Sequence, residues 1–276
     1  MSPSYPQESV VVSQTSFDSD EPYDILMSNI TFLNAQLHEH LTTEELAGDG
    51  LRSYYVDYFM SQILNGGFSQ FVYNSGWEPQ LITFVREGFS AMKAAMHSAL
   101  LDQAEQLLEE LGEERLQTFY SSDYFGDNPE RDELAKLDDK FIALDEQENL
   151  IELNANWIRS RPNLIVIPVS EMKEEVGKRA AAIPNRDERM AAARKNEGRY
   201  LKIIRALCGE ADYVLDRVTA GDPSYQHNGA DSVAWHFLTD KGHYFMVDTG
   251  SEAIMFHGDT EEPLCRIEAG DQFGTN

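Results

Sequence analysis

Basic residues are scarce in this chain, and the first 51 positions contain none. Across 276 residues there are 22 Lys+Arg against 48 Asp+Glu, a formal net charge of -26. Such a field repels nucleic acid and anionic membranes and attracts basic protein surfaces. Cysteine is nearly absent too: Cys208 and Cys265 make neither a disulfide framework nor a Cys-x-x-Cys pair, as expected in a reducing compartment. No apolar run approaches the ~18–20 residues of a membrane span, and no basic segment followed by an apolar one opens the sequence. The expectation is a soluble cytoplasmic protein. Phosphate-cradling glycine loops, dinucleotide fingerprints and nucleophile elbows are missing, so no catalytic, cofactor-binding or metal-binding residue is assigned, and no cofactor is expected. Hydrophobic residues are not lacking, at 42%, nor aromatic ones, at 11%. The acidity is therefore not that of a disordered chain.

The charge is unevenly placed. Residues 1–51 carry 9 acids, and residues 52–99 balance 3 acids with 3 bases. Residues 100–160 hold 17 acids and 5 bases, residues 161–207 reverse to 6 and 11, and residues 208–276 return to 13 and 3.

Apolar periodicity predicts helices over 23–40 and 51–64, a long helix from Pro79 to about Leu111 that Gly112 can end, and a helical return over 133–160. Leu164-Ile165-Val166-Ile167 is the first strand-like run, and Arg161-Pro162-Asn163 before it is the expected domain boundary. A helix capped by Ser170 follows and ends at Pro184. A basic helix is then predicted over 186–207, with Arg186, Arg189, Arg194, Lys195, Arg199, Lys202 and Arg205 on its outer faces. An internal match to neighbouring acid explains that helix more simply than nucleic-acid binding. Short strands at 233–238, 243–248, 253–257 and 264–267 read as a meander. The expected class is α+β: a flexible acidic tail over 1–22, a mostly helical domain over 23–162, and a smaller domain over 163–276 with helices and an antiparallel β-meander.

One motif stands out. A Tyr-rich helix (Tyr54-Tyr55-Val56-Asp57-Tyr58) runs into Asn65-Gly66-Gly67-Phe68-Ser69-Gln70-Phe71, then Asn74-Ser75. Two glycines can end a helix and let the next segment turn back closely while Phe68 and Phe71 enter the core and Asn65 and Gln70 satisfy backbone groups. The functional alternative is a small polar pocket of Ser69, Gln70, Asn74 and Tyr55. With Leu137-Asp138-Asp139-Lys140-Phe141 and a helix ending at Trp157, the motif resembles the DNA mimic protein 19 family over roughly residues 45–165. The resemblance implies a largely helical fold, dimers, and acidic members that imitate the charge of DNA to occupy DNA-binding proteins. The residues after 165 lie outside it.

Acid every fourth residue on a helix presents one charge per ~6 Å, from a rise of ~1.5 Å per residue. Two such helices approach the one phosphate per ~3.4 Å of a DNA strand. Residues 100–160 supply the acids for that face: Glu105, Glu109, Glu110, Glu113, Asp138, Asp139, Asp145, Glu146 and Glu148. The expected function is a non-enzymatic acidic inhibitor that covers the nucleic-acid-binding surface of a basic protein. It would serve as an immunity protein against a nuclease toxin or as a DNA mimic sequestering a regulator. The alternative is a metal-dependent or small-ligand enzyme using His236, His243 and His257 of the meander; scattered sheet histidines explain these three more simply.

Overall fold

The computed structural model describes residues 8–274. The chain forms two compact units, the first running to Arg186 and the second from Asp187. The class is α+β: helices dominate the first unit, and a five-stranded antiparallel sheet forms much of the second.

The first unit opens with strand β1 (Val11–Ser13), a single turn α1 (Gln14–Phe17) and helix α2 (Pro22–His38). Within the expected tail, residues 1–7 lie outside the described residues, and the rest is ordered. Val10, Val11 and Val12 are buried, and β1 pairs in parallel with β2 (Ile165–Ile167), Val12 opposite Val166. That pairing carries the chain past Arg161-Pro162-Asn163, so the stretch expected to divide the domains lies inside the first unit.

Between α2 and β2 run α3 (Gly48–Ser75), α4 (Pro79–Met92), α5 (Ala95–Leu111), α6 (Glu113–Ser121), α7 (Pro129–Leu134), α8 (Asp138–Asp145) and α9 (Leu150–Arg159). Periodicity joined several of these that the backbone separates. The long helix from Pro79 is interrupted at Lys93, whose φ of 63° lies in the left-handed region. The stretch 133–160 breaks into α7, a 3-10 turn, α8 and α9. Conversely, α3 resumes directly after Gly66-Gly67, where the expected helix stops. Its core is a set of edge-on rings: Phe59 meets Phe68, Phe71, Phe89 and Phe141 at centroid distances of 5.6, 4.9, 5.2 and 5.9 Å. All five rings are buried, and edge-to-face contacts of this kind add to the burial of the rings themselves. After β2, α10 (Val169–Ala181) starts one residue ahead of Ser170, behind Pro168 and without a side-chain cap.

Helix α11 (Arg186–Asn196) leads into the second unit. Glu197-Gly198 then separates it from α12 (Arg199–Glu210), so the predicted basic helix is two. Arg199, expected on an outer face, is buried. Its guanidinium donates to Asp248 at 2.7 Å and to the carbonyls of Gly250, Ala269, Gly270 and Gly274, holding the turn over residues 269–274. The sheet is a meander in sequence order: β3 (Leu215–His227), β4 (Ala230–Thr239), β5 (Gly242–Asp248), β6 (Glu252–His257) and β7 (Pro263–Glu268). β3 is not among the strands expected from the sequence; its pairing with β4 is irregular, with one register shift between Asp222 and Tyr225, where Pro223 lies. Ile203, Ile204 and Leu207 of α12 pack with Phe237, Met246 and Met255.

Candidate functional site

The glycine motif explains itself in the backbone. Gly67 has φ 81° and ψ 177°, a region almost closed to other residues. The kink frees the Phe68 N–H from the helix ladder, and it donates to Asp138 Oδ1 at 2.8 Å. A Cβ on Gly67 would lie 2.4 Å from Asp138 Oδ2. Asn65 donates to Gln70 at 3.1 Å, and Gln70 to Gln62 at 3.0 Å. The polar pocket does not assemble. Ser69 meets the Tyr124 hydroxyl at 2.9 Å, Asn74 donates to Gln62, and Tyr55 stacks on Phe84.

The nine acids expected to form one face divide by role. Three are tied to backbone. Besides Asp138, Glu148 accepts the Met96 and His97 N–H groups, both at 3.0 Å, and the His97 ring at 2.8 Å, capping the start of α5. Asp145 accepts the Leu150 N–H at 3.2 Å. Burial pushes the Asp138 carboxyl above its ordinary value, against the opposing Phe68 hydrogen bond. Burial also acts to raise Glu148, but the hydrogen bonds from His97 and Met96 outweigh it and hold the carboxyl below its ordinary value. Glu105 is half-buried and pairs at 2.6 Å with Arg86, which also holds Asp102. Glu109, Glu110, Glu113, Asp139 and Glu146 are exposed. Among the described residues, the bases of this region are engaged elsewhere: Arg115 on Glu130, Lys136 on Glu133, Lys140 on Gln103.

Three of the acids share a feature that periodicity alone does not reveal. Helix α5 ends at Gly112, whose φ of 79° sends α6 off in a new direction. A groove of about 540 Å³ opens there between α5, α6 and the turn after α3. Leu108, Leu116, Trp77 and Tyr120 give it an apolar lining, with Gly76 and Gly112 beside them; Gln117, Glu105, Glu109 and Glu113 also border it. Trp77 rests edge-on against Phe71 at 5.9 Å, and burial raises the Tyr120 hydroxyl above its ordinary value. Four-residue spacing places Glu105 and Glu109 together on α5, but Glu113, expected in the same series, is the first residue of α6 and reaches the groove only through the turn at Gly112. The groove's lining was missed, because Leu108 or Trp77 looks in sequence like any core residue.

Of the three histidines, two come together and the third does not. His236 Nδ1 and His243 Nε2 are 3.1 Å apart, and His236 pairs across the sheet with Phe245. His257 pairs with Tyr244, the neighbour of Phe245, and so lies on the opposite face. No group of three His, Cys, Asp or Glu suited to a metal ion occurs among the described residues. Nor is any described helix long and apolar enough to cross a membrane.

No curated protein and no solved structure matches the chain. A family model does match, over residues 44–161, a span that contains the kinked α3, its Asp138 contact and the groove. That model is the one for DMP19-like proteins, and it is this stretch of the helical unit that resembles them.

Proposed function

We propose that this protein acts by binding rather than catalysis, as a DNA mimic that occupies the nucleic-acid-binding surface of a basic DNA-binding protein. The observation that carries this is the exposed acid on the DMP19-like segment. Glu109, Glu113, Asp139 and Glu146 are exposed, and no described cation lies within ion-pair distance of them. A partner that neutralises phosphates with Lys and Arg would meet the same charge here, with fast association that weakens as salt rises. A regulator and a nuclease toxin are both partners of this kind. The family name favours the first, and the net charge of -26 suits either.

The test is displacement of a fluorescent DNA duplex from purified DNA-binding proteins encoded beside this chain, regulators and nucleases alike, followed by anisotropy. Release of duplex that fades between about 50 and 200 mM salt supports the reading. Absence of displacement at low salt by any of them sinks it.

A further inference from the structure

A stripe of carboxylates imitates phosphates, but DNA phosphates have no apolar floor between them. The groove at Gly112 does. The exposed Glu109 and Glu113 line it together with Trp77, Leu108, Leu116 and Tyr120, of which Leu108 belongs to a buried cluster that the other three pack against. Leu108 is buried, while the other three keep exposed surface. This combination selects among cations. An ammonium is compact and strongly hydrated, so an apolar floor gives it little. A guanidinium is planar and weakly hydrated; it stacks on aromatic faces and takes a carboxylate with two parallel N–H bonds. A second copy of this chain would bring more acid to an acidic rim, which argues against it as occupant.

We propose that the groove between α5, α6 and the turn after α3 is an arginine-binding site. It accepts an arginine side chain from the basic partner, the stem on Leu108 and Leu116, the guanidinium between the aromatic rings and Glu109 and Glu113. The site rests on the function proposed above and adds to it. Charge brings basic proteins in, and the groove prefers those that present arginine over lysine at this point.

The experiment uses the full chain with indole-labelled tryptophan, followed by NMR. The probes are two alanine-based helical peptides of equal charge, one with arginine at every fourth position and one with lysine. The expected result is a saturable shift of the Trp77 indole resonance with the arginine peptide and at least fivefold weaker binding of the lysine peptide. The Glu109→Gln, Glu113→Gln double variant, altered only at exposed positions, should lose at least tenfold in affinity. Equal affinity for the two peptides, or binding that leaves Trp77 unmoved, overturns the proposal. So does a Trp77 shift driven by protein concentration alone, which would mean that a second copy fills the groove. The two readings fail separately. If the double variant still displaces duplex DNA from a partner as well as the parent, the groove is not the site and mimicry stands. If the arginine peptide binds the groove but no DNA-binding protein is displaced, mimicry falls and the site stands.

Discussion

The carboxylate of Asp138 accepts the Phe68 backbone N–H at 2.8 Å, across 70 residues of sequence. The contact joins the two halves of the family motif. The glycine pair makes the kink that exposes the N–H, and α8 delivers the acceptor. An acid that belongs by composition to the charged surface is a helix cap, and it occupies the space a side chain on Gly67 would need.

Gly67→Ala and Gly112→Ala separate backbone strain from this contact. Both glycines have φ near 80° and an extended ψ, but a Cβ at Gly112 meets nothing within 4 Å. The Gly112 variant is expected to lose about 1–3 kcal/mol from conformation alone. The Gly67 variant should lose a further 1–2 kcal/mol or so, because Asp138 must move and the Phe68 N–H loses its acceptor. Urea unfolding of both variants measures the difference; equal losses would mean that the Asp138 contact contributes nothing.

Glu148→Gln should cost about 1–3 kcal/mol at neutral pH, the usual worth of hydrogen bonds to a charged group. The pH dependence has a definite sign. The folded-state carboxyl lies below its ordinary value of 4.5, so its contribution is complete above that value and disappears as pH falls through the lowered one. Stability curves of parent and variant should therefore converge in acid. A gap that stays constant down to pH 3 would assign the loss to packing.

Replacing Glu109, Glu113 and Glu146 together by lysine should leave the melting temperature nearly unchanged, since exposed substitutions usually stay within about 0.5 kcal/mol. The same variant should weaken capture of a DNA-binding partner at least tenfold. Reversing Asp138 or Asp145 instead would confound binding with folding, because each accepts a backbone N–H.

Arg199→Ala should destabilise the second unit by about 3–5 kcal/mol, because it leaves Asp248 and several carbonyls without their donor in a buried setting. Hydrogen exchange should rise first around residues 269–274. Unchanged protection there would show that the guanidinium is not what holds that turn.

The sequence by itself determined the class, the acidic character and the motif. Those depend on composition and on local rules: glycine where φ is positive, apolar residues at helical or strand spacing, proline at the first turn of α4. It also marked Glu105 and Glu109 as neighbours, since four-residue spacing on a helix is a one-dimensional property; Glu113, expected in the same series, instead opens α6 beyond the turn at Gly112. Helix breaks were less legible. Lys93 carries no signal of its left-handed backbone, and only packing selects it. The roles of the acids were decided by tertiary structure, because a carboxylate's function depends on which donor the fold places beside it. Asp138 and Asp139 are adjacent in sequence, yet one caps Phe68 and the other faces solvent. The groove came from the same source: Trp77, Leu108 and Tyr120 look in sequence like core residues, and only the turn at Gly112 brings them together beside three glutamates.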